Sequence, residues 1–134
     1  MKRLDCLGDL SREHHTALSL ALRARRAAAG SEAEVAAMAA KVRERFTAEL
    51  EPHFREEERW LLPALAEMGQ QSLVERTLAD HAELARLVEE LAAPSAETLL
   101  AFADGLTAHV RFEERELFPA AEAQPDCLEK HRGG

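Results

Sequence analysis

Apolar residues recur along this chain at three- and four-residue intervals, the period of a helix face turned toward a core. The first stripe is Leu7, Leu10, Leu18, Ala21 and Leu22, and the second is Phe46, Leu50, Phe54 and Leu61. The third is Val74, Leu78, Leu84, Ala85 and Val88, and the fourth is Phe102, Leu106 and Leu117. Boundary signals cut this pattern into four predicted helices. The first runs from about Leu10 to Ala28 and ends at Ala29-Gly30. The second opens on Ser31-Glu32-Ala33-Glu34, a capping box, and continues past Trp60 to about Met68-Gly69. The third opens on Ser72-Leu73-Val74-Glu75, which reads as another capping box, and ends before Pro94. The fourth runs from Ser95 to about Ala121. Pro52, Pro63 and Pro119 fall inside these helices. Each removes a backbone donor and is expected to bend its helix, Pro52 as a kink rather than a break.

Short connections make successive helices antiparallel neighbours. The expected architecture is an all-α, up-down-up-down four-helix bundle with a metal site in its core and both termini at one end. Residues 1–134 read as one domain, with the bundle over about 10–121 and a polar tail over 122–134. The tail from Pro125 to Gly134 is expected to be loose.

Composition agrees with an all-α chain. Ala, Leu, Glu and Arg dominate, there is no Ile, and Val occurs five times. The formal charge of −8 disfavours nucleic acid and anionic membrane surfaces as partners. No apolar run has the length of a membrane span, and the N-terminal residues lack the apolar centre of a signal peptide. A cytoplasmic location is therefore expected. Cys6 and Cys127 are too few for a secreted disulfide framework. They are expected as reduced thiols near the same end of the bundle, where a redox disulfide is the other reading.

The second and fourth helices carry an internal repeat. Residues 53–65, HFREEERWLLPAL, align with residues 109–121, HVRFEERELFPAA, with eight of thirteen positions identical. In each copy a His precedes a Glu by four residues, as His53–Glu57 and His109–Glu113. Residues so spaced share a helix face, about 6 Å apart along the axis, and can converge on one metal or on two adjacent ones. Both pairs fall on the apolar stripes. An ionised Glu in a dry core needs a compensating partner, and a dinuclear cation centre supplies one. The third helix adds His81, on its inward face. The first offers two adjacent candidates. The wheel places His14 near the centre of its stripe and His15 about 100° round, whereas His15-Thr-Ala-Leu18 resembles His81-Ala-Glu-Leu84. The wheel is given more weight, so His14 is the expected ligand.

The predicted metal ligands are thus His14, His53, Glu57, His81, His109 and Glu113. Four imidazoles and two carboxylates suit iron, manganese or zinc better than calcium or magnesium. The carboxylates can bridge two ions that take two imidazoles each, leaving positions for an oxo or hydroxo bridge and a small exogenous ligand. Glu58 and Glu114 point about 100° away from the ligands and are expected to face solvent or bond to a neighbouring helix. Glu116 is a candidate added ligand or proton relay, with the wetter end of the bundle as its ordinary place. Trp60 and the Phe residues are expected to wall the centre off from water, and His131 to be exposed.

The string from His53 to Pro63, its echo from His109 to Pro119, Glu13-His14-His15 and Asp80-His81 resemble the hemerythrin-like, HHE cation-binding domain over about Leu10 to Ala121. The resemblance implies a carboxylate-bridged centre of two iron ions (Fe2+/Fe3+). Members include oxygen carriers, oxygen or redox sensors, and proteins tied to iron or nitric oxide stress. The oxygen carriers have a further His where this chain has Ala85, and an Asp five residues after the fourth-helix His where Glu114 stands. The leading expectation is a non-haem diiron protein that binds or senses dioxygen, peroxide or nitric oxide. The alternatives are a diiron enzyme turning over peroxide or dioxygen, an iron storage or donation protein, and a metal-free bundle.

Overall fold

A computed structural model describes residues 4–133; residues 1–3 and 134 lie outside it. Five helices account for nearly all of the described chain: α1 (Asp5–Ala28), α2 (32–67), α3 (Gln71–Glu90), α4 (96–122) and α5 (Pro125–Gly133). The expected four become five because the tail is ordered. α5 seats Leu128 with no exposed surface among Trp60, Leu61 and Leu117, and apolar burial outweighs the polarity of its other residues.

Local chemistry sets the boundaries. Ser31 and Glu34 form the expected capping box, with each backbone N–H donating to the other residue's side chain. Ser95 caps α4 by accepting from the Thr98 N–H. The box expected at Ser72 does not form, because α3 already starts at Gln71 and Ser72 lies inside its first turn. The preceding helix closes so tightly that no room is left: Gly69 takes φ +83°, and the Gln70 N–H donates to the Leu65 carbonyl. α1 also starts earlier than expected, with the Leu4 N–H donating to Glu122 of α4 at 2.9 Å.

The three helix prolines share one solution. Before each lies a single π-turn, at Phe46–Leu50, Glu57–Leu61 and Glu113–Leu117. The residue preceding the proline donates five positions back, from Glu51 to Phe46, Leu62 to Glu57 and Phe118 to Glu113. Widening the turn moves the carbonyl that the proline ring would strike, so α2 and α4 continue unbroken.

Cross-contacts run in opposite senses along neighbours. α1 meets α4 through Leu4–Glu122, His14–Glu113 and Arg25–Asp104, which is antiparallel. Glu13–His53, His81–Glu58 and His109–Asp80 join α1 to α2, α2 to α3 and α3 to α4. The apolar core falls into two clusters. One holds Leu20, Met38, Phe46, Leu87, Phe102 and Leu106; the other holds Leu7, Trp60, Leu65, Phe112, Leu117 and Leu128. The buried His and Glu side chains belong to neither. Leu18, Leu22 and Leu78, expected on inward stripes, are 37%, 47% and 43% exposed. On α1 the expected Ala21 is buried, and Ala17 and Ala24 join it in place of the two leucines, small side chains that suit close packing against α4. On α3, Thr77 takes the buried place, its hydroxyl donating to the Leu73 carbonyl. No helix among the described residues is long and apolar enough to cross a membrane.

Candidate metal centre

Six buried polar side chains, one or two from each of α1 to α4, converge between the two apolar clusters: His14, His53, Glu57, His81, His109 and Glu113. His15, the rival on α1, is exposed. The six form two overlapping groups whose donor atoms lie within 4.8 Å of one another. One is His14, His53, Glu57 and Glu113; the other is His81, His109, Glu57 and Glu113. Both glutamates therefore belong to both groups.

Their oxygens divide accordingly. Glu57 turns Oε2 to His53 Nε2 at 3.2 Å and Oε1 to His81 Nε2 at 3.1 Å. Glu113 turns Oε1 to His14 Nε2 at 2.8 Å and to His53 Nε2 at 4.0 Å, and Oε2 to His109 Nε2 at 3.3 Å. Each carboxylate thus turns one oxygen toward each of the two imidazole pairs. The fit to a cation is also visible in which buried atoms make no hydrogen bond. Glu57 Oε2, Glu113 Oε2 and His109 Nε2 are buried without a hydrogen-bond partner. Buried polar atoms without partners are costly, and all three face the common centre.

The electrostatics set by the side chains alone are those of a crowded anion pair. Burial and the neighbouring Glu113 push Glu57 upward. Burial acts the same way on Glu113, but His109, His14 and His53 outweigh it and hold that carboxyl well below the usual range. Burial pulls His53 down, yet Glu113 and Glu57 prevail and push it up to about 11. His109 is likewise pulled down by burial and pushed up to about 10 by Glu113 and Asp80.

A second layer of carboxylates surrounds the imidazoles. His53 Nδ1–H donates to Glu13 at 2.7 Å, and His81 Nδ1–H to Glu58 at 2.7 Å. His109 Nδ1–H donates to Asp80 at 2.9 Å, and His14 Nδ1–H to Glu114 at 2.7 Å. Each helix thus anchors the imidazole of the next, and α4 closes the ring on α1. These bonds hold a proton on Nδ1 and turn every Nε2 toward the centre. Glu58 and Glu114 bond to neighbouring helices, one of the two places expected for them. The roles of Glu13 and Asp80 were missed by inward-face reasoning, because neither lies on an inward face. The signal was present as a carboxylate directly beside an inner His or Glu on all four helices: Glu13-His14, Glu57-Glu58, Asp80-His81 and Glu113-Glu114.

Aromatic rings close the centre. Phe54 stacks on His81 at 3.9 Å, and Phe118 on His14 at 5.3 Å. Trp60 is buried in the same apolar cluster as Phe118. Glu116 is exposed and stands outside the centre. In a π-turn the residue four on, Leu117, returns to the face of Glu113, and the residue three on does not. Trp60 holds the matching place in the first copy, but α5 packs over that turn. Beside the centre lies a cavity of about 260 Å³. It is lined by His14, His53 and His109, by Leu20, Leu50, Leu106 and Val110, and by the exposed Glu13 and Thr16. Cys6 and Cys127 are both free, and His131 is partly buried rather than exposed.

No curated protein and no solved structure matches the chain. A family model does, over residues 7–122, and that span contains the paired histidines, both glutamates and the carboxylate ring. The chain belongs to the hemerythrin family, the HHE cation-binding domain.

Proposed function

We propose that this protein holds two iron ions at the centre and uses them to bind or sense dioxygen or a related small oxidant such as peroxide or nitric oxide. The observation that carries the reading is the division of Glu57 and Glu113 between two histidine pairs. One ion would take His14 and His53, the other His81 and His109, with both carboxylates shared. Mixed imidazole and carboxylate donors suit iron, which when bound supplies redox chemistry toward small oxygen and nitrogen ligands.

The protein's own part is to shape access. Ala17, Leu20, Leu50 and Leu106 make much of the adjoining cavity apolar, and Glu13 and Glu49 on its lining disfavour anions, so a small uncharged molecule is favoured. The cavity reaches His14, His53 and His109 but not His81, against which Phe54 is stacked. A small ligand would therefore approach from the face that His14, His53 and His109 share. Four helices around a metal centre, with α5 closing one end, is the bundle reading that accompanies this proposal. Metal analysis and near-ultraviolet spectroscopy on anaerobic and air-exposed protein test it. The expected result is two irons per chain and an absorption change that reverses under vacuum. Zinc alone, or no metal, overturns it. Rapid peroxide loss with evolved oxygen would make the protein an enzyme, and ready transfer of iron to an acceptor would make it a donor.

A further inference from the structure

α5 does more than cover Trp60. Its Cys127 and His131 stand four residues apart on one helix face, directed at Glu67 near the end of α2. Cys127 Sγ–H donates to Glu67 Oε2 at 2.8 Å, and His131 Nε2 lies 3.6 Å from the same oxygen. These three donor atoms lie within 4.8 Å of one another. His131 Nε2 is buried and has no hydrogen-bond partner. Lys130 Nζ binds the other oxygen, Oε1, at 2.7 Å, which leaves Oε2 turned to the thiol and the imidazole.

We propose that Glu67, Cys127 and His131 form a second, mononuclear metal site, for a thiophilic divalent ion such as Zn2+, that fastens α5 to α2. One sulfur, one nitrogen and one oxygen are the donors zinc takes, with a fourth position left to water. The geometry is close to what such an ion needs. Tetrahedral zinc with ordinary bond lengths separates its S and O ligands by roughly 3.5 Å and its N and O ligands by roughly 3.3 Å. The thiol would move outward from 2.8 Å and the imidazole inward from 3.6 Å, both by less than about 1 Å. On binding, the Cys127 S–H bond breaks, its proton leaves to solvent, and the thiolate donates its electron pair to the ion. No oxidant or reductant is involved. Glu67 is 47% and His131 26% exposed at the side chain, so an ion can arrive without opening the core. The site shares no residue with the central six and stands independently of what they bind.

The test uses the whole 134-residue chain with its central metals in place, with Co2+ and Zn2+ as probes. One further equivalent of Co2+ should bind with a sulfur-to-cobalt charge-transfer band, and Zn2+ should displace it. Zn2+ should also slow alkylation of Cys127 by about ten-fold or more. Cys127→Ser and His131→Ala should each remove the band without changing the central metal content or the helicity. Cys6→Ser should keep it. The proposal is overturned by a missing band, by a band that survives Cys127→Ser, or by alkylation that ignores Zn2+. The central residues include no thiol, so failure of the diiron reading would leave this sulfur signal intact.

Discussion

Glu57 and Glu113 have no exposed side-chain surface, and their charges need positive partners, either protonated histidines or a bound cation. This makes Glu57 the sharpest single-residue probe of the centre. Glu57→Gln keeps size and hydrogen bonding but removes the shared charge. If the centre holds two irons as proposed, iron content should fall to one per chain or fewer, and added iron should no longer raise the melting temperature. Unchanged iron content in that variant would refute the bridging role. Beyond the inner six, the outer carboxylates orient the imidazoles, and loss of such a partner weakens metal binding by about 10–100-fold. Asp80→Asn should show this in competition with a chelator. Glu13→Gln should show less, because Glu13 is 55% exposed against 25% for Asp80 and water can replace it. Equal losses would argue against exposure as the deciding factor. The inner residues were legible in the sequence because a repeat and a four-residue spacing specify a face by themselves. The ring was not, because Glu13 and Asp80 act across to the next helix, and one helix's periodicity does not encode the packing of its neighbour. Leu18 and Leu22 failed for the same reason: two arcs of α1 were apolar enough to bury, and contact with α4 chose the alanine one.

At the scale of elements, prolines and α5 mattered most. Pro52, Pro63 and Pro119 could be read as local disturbances, but not as π-turns, since a proline constrains its own turn without saying how the chain relieves it. α5 was hidden because nine mostly polar residues carry little helical preference of their own, and such a helix forms only when docked. Leu128 carries that docking. Leu128→Ala should cost about 2–5 kcal/mol in denaturant unfolding, as for other buried leucines. It should also shift the emission of Trp60 to the red, a clear signal because the chain has one Trp. A stability loss without an emission shift would mean that α5 does not cover Trp60. Acid should loosen α5 as well. Hydrogen bonds from Cys127 and Lys130 hold Glu67 down to about 2. A carboxyl lowered on folding stabilises the folded state above its unfolded value, near 4.5, and loses that contribution as pH falls through about 2. The red shift of Trp60 should therefore grow over that interval, and Glu67→Gln should remove the acid dependence.

The whole molecule is organised around a layer that divides its apolar core, and the charge of that layer depends on what the protein binds. With side chains alone, His53 and His109 keep their protons up to about 11 and about 10. Each must lose the proton on Nε2 before that nitrogen can bind a cation. Both pKa values lie above neutrality, so metal uptake at pH 7 has to expel those two protons. The sign follows directly: affinity rises with pH until the histidines titrate unaided, and it falls in acid. Stability of the metal-free protein moves the other way. A histidine raised on folding stabilises the folded state below its unfolded value of 6.5 and loses that contribution as pH climbs through 10 and 11. Metal-free protein should thus weaken from neutral toward pH 11, while loaded protein should hold or gain. Calorimetric titration of Fe2+ under anaerobic conditions, in buffers of different ionisation enthalpy, measures the expelled protons. Two or more per loaded chain is the expected count. A count near zero would mean that the imidazoles enter the reaction already neutral, and that the glutamates are not the groups charging them.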